Sequence, residues 1–251
     1  MPRLDVWTGG MGHPTRRQAL LAAMGLLAAL TDVPGGTGTA QAAETKVYVF
    51  AVTSIRPHVL QKMLETALPG MSVTVFGRVG DFSRALEESP PDAALAATPV
   101  LAAFGQKAEI QGLKGGSPQE EYLVLSESEV KADKLAELTI GCLDLMGRKA
   151  LPAFVQGLLG ISREPAIQRV TKTEDLLQLL QFKRANAVLI PEGFLADLQT
   201  RTKMELKLLR LPSAKVLRVG IAFPGNRQGV ESALRALPGA VLEQLGVDHW
   251  R

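Results

Sequence analysis

The chain has 251 residues, enough for one large domain or two small lobes once a short leader is set aside. Its 28 Lys and Arg residues and 25 Asp and Glu residues give a formal net charge of only +3, which gives no support for a nucleic-acid-binding surface. Cys142 is the only cysteine, so the chain cannot form an intramolecular disulfide. We expect its thiol to be structural rather than reactive.

The first 42 residues are typical of an export signal. Arg16 and Arg17 precede an apolar run over residues 19–30, and small residues at 40–42 match a cleavage site. The arginine pair favours the twin-arginine route, although Ala19 stands where that pattern usually has an aromatic residue, so the general secretory route stays open. The apolar run is too short to span a bilayer. We therefore expect a cleaved signal and a periplasmic mature protein.

A buried strand followed by a helix opens the mature chain. Residues 47–52 are continuously apolar, which predicts a strand covered on both faces of a parallel sheet. Thr53 and Ser54 come next, and we expect their hydroxyls to cap a helix that starts near Pro57. The loop between strand and helix is where open α/β sheets bind ligands. This pattern predicts a binding site there.

The rest of the chain alternates strands and helices. Further strands are predicted at residues 71–76, 92–97, 120–125, 139–143, 167–170, 185–190, 205–211 and 216–223. Further helices are predicted at residues 81–88, 98–104, 130–138, 148–159, 176–182, 194–200, 229–237 and 239–245. A glycine-rich loop at residues 112–118 precedes the first strand that could cross into a second lobe.

This alternation predicts an α/β protein with two lobes. We expect lobe one to contain residues 43–124 and 217–251, and lobe two to contain residues 125–216. Each lobe would be a mostly parallel sheet flanked by helices, and two strands would cross between the lobes.

No motif predicts catalysis or a cofactor. His58 and His249 are the only histidines after the signal, and their spacing is not that of metal ligands. Nucleophile-elbow, phosphate-loop and metalloprotease motifs are absent from the sequence. We therefore expect a binding protein without a cofactor rather than an enzyme.

The layout resembles the periplasmic substrate-binding proteins of ABC transporters with the type II fold, in particular the phosphate/phosphite/phosphonate-binding family. The segments that carry the resemblance are the opening strand with its Thr53-Ser54 turn, residues 92–98, residues 185–191 and the tail at residues 245–250. The resemblance implies two lobes that close on a small-molecule ligand as a hinge and deliver it to an ABC permease in the inner membrane. It also implies a monomer whose ligand could be a phosphonate-like oxyanion.

Mapped onto this chain, the resemblance implies ligand contacts from both lobes. They are Thr53, Ser54, Arg56, Thr98, Tyr122, Asp144, Arg148 and Glu192. Structural explanations remain open for several of them. Asp144 and Arg148 could form an i, i+4 ion pair, Tyr122 could be a core residue, and Glu192 could interact with a helix dipole. Glu120 and Glu121 are expected to be solvated.

One departure from the family pattern favours a different ligand. Where phosphonate binders have a turn rich in Ser and Thr, this chain has the apolar residues Leu143, Leu145 and Met146 near Asp144. With Phe194, these residues would suit an apolar ligand such as a lipid or sterol. A further alternative is an exported protein that presents its bound state to a membrane sensor.

Overall fold

A computed structural model describes residues 44–251, so the predicted export signal lies outside the described residues. The strands are β1 Thr45–Phe50, β2 Met71–Val75, β3 Ala93–Ala97, β4 Ile110–Leu113, β5 Gln119–Ser126, β6 Thr139–Leu143, β7 Ala166–Val170, β8 Ala187–Pro191, β9 Lys207–Leu217, β10 Val219–Ala222 and β11 His249–Trp250. The helices are α1 Pro57–Ala67, α2 Val79–Glu88, α3 Thr98–Ala103, α4 Gly147–Leu159, α5 Glu174–Gln181, α6 Leu195–Thr200, α7 Val230–Arg235 and α8 Gly239–Gln244. Short 3₁₀ helices span Ala132–Glu137 and Glu192–Phe194.

The strands form two sheets, which confirms the predicted α/β class with two lobes. The order in the first sheet is β11-β4-β10-β3-β1-β2, and in the second it is β7-β6-β8-β5-β9. Both sheets are mixed. The strands of the βαβ units are parallel, with β1 beside β2 and β3, and β6 beside β7 and β8. Antiparallel pairs involve the strands on which the chain changes sheets, since β10 runs against β3 and β5 runs against β8.

The chain passes between the sheets twice. It leaves the first sheet after β4 through residues 114–118 and returns at Arg218, between β9 and β10. Gly115 and Gly116 have φ values of 57° and 77° in the turn closed by Lys114 and Ser117, and two residues with positive φ are typical of a two-residue hairpin turn. The backbone N–H of Arg218 donates to the carbonyl oxygen of Pro118 at 2.8 Å, so the two crossings lie side by side.

Strand β9 differs from the prediction. Pro212 and Ser213 are predicted to end one strand before another starts, but β9 is continuous over 11 residues. Its pairing with β5 shifts register between Glu121 and Leu123, and the additional β9 residues at this irregularity include the proline. Because β9 is an edge strand, the missing N–H of proline breaks no ladder at this position.

The first strand is buried on both faces, as predicted. Val47 and Val49 belong to an apolar cluster that includes residues of α1, α7 and α8. Phe50 belongs to a second cluster, which extends from α2 and α3 into the second sheet and its helices. The apolar contacts are therefore continuous between the two sheets. Within residues 44–251, no helix combines the length and apolarity needed to cross a membrane.

Cys142 is expected to be inert in the folded protein. It lies on β6 with 3% of its surface exposed, and burial raises the pKa of its thiol to about 12. Because the thiolate is the reactive form, labelling by a soluble disulfide reagent should be at least about a hundredfold slower in the native protein than in urea. The check is the absorbance of the released thiol. Equal native and denatured rates would contradict the placement of this side chain.

Candidate ligand-binding cleft

Two adjoining cavities lie between the sheets. The cavity that we call the first chamber has a volume of about 320 Å³, and the second chamber has a volume of about 380 Å³. Residues 50–54 and Leu145 line both chambers. Residues from both sheets line each of them, so a ligand in either chamber would contact both halves of the protein.

The strand order explains why the cavities form here. The connection after β1 leads to β2, whereas the connection after the adjacent strand β3 leads to β4 on the opposite side of the sheet. In the second sheet, the connection after β6 leads to β7, whereas the one after the adjacent strand β8 leads to β9 on the opposite side. Such switch points leave a crevice beyond the carboxyl ends of the strands. Residues 51–54 follow β1 and Leu145 closely follows β6, so both crevices open into the same cleft.

The predicted site residues divide into three groups. Thr53 and Ser54 line both chambers. Tyr122 lines the first chamber, whereas Arg56 and Asp144 line the second. Thr98, Arg148 and Glu192 line neither chamber.

The helix-capping prediction for Thr53 and Ser54 is wrong. Helix α1 has Arg56 as its N-cap, and no side chain caps it. The hydroxyl of Thr53 donates instead to the carbonyl oxygen of Ile55 at 2.7 Å, which closes a local turn. The proline at the first helical position needs no cap, because it has no N–H to satisfy.

The ion pair predicted between Asp144 and Arg148 is also wrong. Arg169 donates from Nη1 to Oδ2 of Asp144 at 2.7 Å, because β7 runs parallel to β6 and places Arg169 opposite Cys142. Arg148 is exposed on α4. Oδ1 of Asp144 is buried and has no hydrogen-bond partner among residues 44–251.

Thr98 and Glu192, which line neither chamber, have structural partners within the fold. Oγ1 of Thr98 lies 2.8 Å from Oε1 of Gln111 and 3.0 Å from the carbonyl oxygen of Arg218, so it holds the return crossing. Glu192 lies 2.6 Å from Nη1 of Arg210 on β9. These pairings connect distant segments of the fold.

An ion pair in the first chamber was missed by sequence reasoning. Nη1 of Arg218 lies 3.4 Å from Oε1 of Glu120 and donates to the carbonyl oxygen of Gly246 at 3.1 Å. The expectation that Glu120 is solvated is wrong, since 25% of its side chain and 14% of the Arg218 side chain are exposed. Burial raises the pKa of Glu120, although Arg218 opposes that shift. Sequence position could have indicated this pair, because Glu120 and Arg218 each lie beside a segment that crosses between the sheets.

Tyr122 is both a core residue and a cleft residue. It is 6% exposed, and burial raises the pKa of its hydroxyl well above the ordinary value. Its ring therefore forms a rigid wall of the first chamber. It cannot serve as an anion near neutral pH.

The loop between β7 and α5 forms a wall of the second chamber that was also missed. Residues 171–174 line it, including Lys172 and the buried Thr173. The sequence predicts a helix start at this point, but it does not indicate that the loop faces β1 across the cleft. Within the part of the chain that the structure describes, no cluster of three His, Cys, Asp or Glu side chains could hold a metal ion.

Comparison with known proteins shows the fold. No family model matches the sequence, and no curated protein is similar to it. The chain is similar to the solved substrate-binding protein of an amino acid ABC transporter, with 16% identity, a TM-score of 0.50 and coverage of 80% of this chain and 94% of that chain. It is similar to the binding protein component of an ABC phosphonate transporter from Pseudomonas aeruginosa, with 14% identity, a TM-score of 0.55 and coverage of 83% and 82%. A third neighbour, Tv2483 bound to L-arginine, has 9% identity, a TM-score of 0.55 and coverage of 82% and 92%. The chain thus has the two-lobed type II periplasmic binding protein fold.

Proposed function

We propose that this chain is an exported solute-binding protein that captures a small ligand between its lobes and delivers it to an ABC permease. The observation that carries the proposal is the pair of chambers at the two switch points, each lined by both sheets. The lobes would be residues 43–124 with 217–251, and residues 125–216. The mature protein would act in the periplasm as a monomer, without a cofactor.

Hinged closure would connect binding to delivery. The two crossings at residues 114–118 and Arg218 are where a few backbone torsions could change the angle between the lobes. A ligand that contacts both lobes binds the closed state better than the open one, and this difference in affinity shifts the population. A permease that recognises the closed form would then receive loaded protein preferentially.

An oxyanion is the ligand group that the second chamber favours. Helices α1 and α5 both begin at its wall, and the positive ends of their helix dipoles favour an anion there. Arg56 and Lys172 add positive charge. The similar protein from Pseudomonas aeruginosa is the binding component of a phosphonate transporter, and this likeness in fold supports proposing the same class of ligand here.

Native mass spectrometry tests the proposed function. Protein purified from the periplasm without denaturation should retain one small molecule per chain. That compound should raise the midpoint of thermal unfolding when it is added back, because a ligand that binds only the folded state stabilises it. A protein with no bound compound and no stabilisation by a panel of oxyanions, amino acids and lipids would contradict the proposal.

Replacing Thr53 and Ser54 together by alanine should weaken binding of the co-purified compound by about tenfold, as expected for the loss of one or two hydrogen bonds to a charged group. Ser54 would supply a donor, while Thr53 holds the loop through Ile55. Titration calorimetry measures the effect. Thr66→Ala is the matched control, because Thr66 also donates to a carbonyl, that of Lys62, but lines neither chamber. Unchanged affinity in the double variant would remove both residues from the site.

A further inference from the structure

The charges of the second chamber are biased towards anion binding. Arg56 and Lys172 line it, and neither has a carboxylate within 4.0 Å among residues 44–251. Of the two acids on its wall, Asp144 is neutralised by Arg169 at 2.7 Å, and Glu174 lies in the first turn of α5. With Arg169 counted, three cations and two acids lie at this cavity, so its net charge is +1.

A threonine of the second chamber offers its hydroxyl to a ligand. Thr173 is 7% exposed and lines the cavity, and its side chain makes no hydrogen bond within the described part of the chain. Its oxygen is accessible from the chamber rather than enclosed in the core, so a ligand can reach it. It directly precedes the eight-residue helix α5, in whose first turn the N–H groups of Asp175 and Leu176 already donate to the carbonyl oxygens of Lys172 and Thr173. A bound oxyanion would accept a hydrogen bond from the Thr173 hydroxyl and would be stabilised by the positive end of the helix dipole.

The first chamber has more apolar side chains than the second, although both chambers have polar and apolar walls. The apolar side chains of Val100, Tyr122, Phe194 and Leu217 line the first chamber and not the second. Two of its acids are paired with cations, since Glu120 pairs with Arg218 and Asp197 pairs with Arg201. Lys114 and Glu243, which also line it, are exposed and of opposite sign. The first chamber therefore offers a ligand apolar contacts rather than a net charge.

Size also bears on the ligand. Each chamber alone has the volume of a small-molecule site, and they adjoin at residues 50–54 and Leu145. A single phosphonate or carboxylate group would occupy one chamber and leave the apolar walls of the other in contact with water. A longer molecule that extends past Leu145 would use both.

We infer that the ligand is one amphiphilic anion, with an oxyanion head in the second chamber and an apolar chain in the first. This inference rests on the proposed solute-binding function and names its class of ligand. It combines the two ligand types that the sequence leaves as alternatives, because each chamber suits one part of the same molecule. The headgroup could be a phosphonate or a carboxylate, and these share the chemistry that Arg56, Lys172 and Thr173 would recognise.

A homologous series of ligands tests the inference on the full mature chain. Titration calorimetry with methyl-, butyl- and octylphosphonate should show affinity rising about fourfold per methylene until the first chamber is filled, as expected for burial of one methylene group. The matching alkyl carboxylates distinguish the source of the oxyanion. Octanol, which has the chain without the charge, should bind at least about tenfold more weakly than octylphosphonate, since charged hydrogen bonds contribute more than neutral ones.

Two variants assign head and chain to their chambers. Lys172→Met should weaken every member of the phosphonate series by a similar factor, whereas the exposed Lys149→Met on α4 should not. Phe194→Ser should lower the ratio of octyl- to methylphosphonate affinity, whereas Phe182→Ser should not, because Phe182 is 64% exposed and lies outside the cleft. Circular dichroism of each variant separates a binding defect from misfolding.

The outcomes separate the inference from the function on which it rests. Equal affinities for methyl- and octylphosphonate would overturn the amphiphilic ligand while leaving a binding protein for small oxyanions. Failure of every alkyl anion to bind, in a protein that still carries another co-purified compound, would overturn it while leaving the transport function. Failure of every alkyl anion, with no co-purified compound and no stabilising solute, would overturn both.

Discussion

Replacing Gly112 with alanine should lower the free energy of unfolding by about 3 kcal/mol, at the upper end of the cost of overpacking a core. An added Cβ would meet Val247 and would lie 2.7 Å from the carbonyl oxygen of Val219. The carbonyl belongs to β10, the strand that pairs with β4, so it cannot move without opening the sheet. Gly112 is also paired with Trp250 of β11, whose ring lies 3.1 Å from the same point. Urea denaturation monitored by circular dichroism measures the loss.

The control for this substitution is another glycine of the same chain. Gly157 lies inside α4, and a Cβ added there would meet nothing within 4 Å. Gly157→Ala should therefore raise the free energy of unfolding by about 0.5 to 1 kcal/mol, the usual gain from removing glycine from a helix interior. Equal effects of the two substitutions would show that β4 is not packed as described.

The elements that could be predicted are those fixed by local pattern. The apolar run at residues 47–52 has β-branched and aromatic residues on both faces, and such a run is stable only between two layers. Strands β4 and β11 were not predicted, because each is short and is formed only by pairing with segments far away in sequence. Pro212 led to a wrong strand boundary for a similar reason. A proline would interrupt a central strand but is tolerated in an edge strand, and the sequence alone does not tell which strand lies at the edge of the assembled sheet.

The same distinction applies to the candidate site. Thr53 and Ser54 could be placed in the cleft because a loop after a buried parallel strand lies at the ligand edge of the sheet. Asp144 was paired with Arg148 by helical spacing, but its partner is Arg169 on the adjacent parallel strand. Lys172 belongs to the facing lobe, and its position depends on how the two sheets pack. Spacing along the chain gives the local contacts, whereas contacts across the cleft require the tertiary structure.

Replacing Arg218 with methionine should lower the free energy of unfolding by about 2 kcal/mol at pH 7.5, somewhat less than for a fully buried ion pair that loses one partner. Methionine keeps the apolar part of the side chain but leaves Glu120 without its cation at 3.4 Å and Gly246 without a donor. Arg210→Met is the matched control. Arg210 also pairs with a glutamate, Glu192, but its side chain is 51% exposed, so its loss should cost under about 1 kcal/mol.

The pH dependence of the Arg218→Met effect identifies Glu120 as its cause. Burial raises the folded-state pKa of Glu120 even in the presence of Arg218, and removing the cation raises that pKa further. A carboxyl whose folded pKa exceeds its unfolded value favours the fold most when it is protonated, and this contribution is lost as the pH rises through the folded pKa. The cost of Arg218→Met should therefore be smaller at pH 4 than at pH 7.5. Adding Glu120→Gln should recover part of the stability at pH 7.5, because the neutral amide needs no cation. An equal cost at both pH values would mean that Glu120 is hydrated, and that the first chamber is more open to water than its packing indicates.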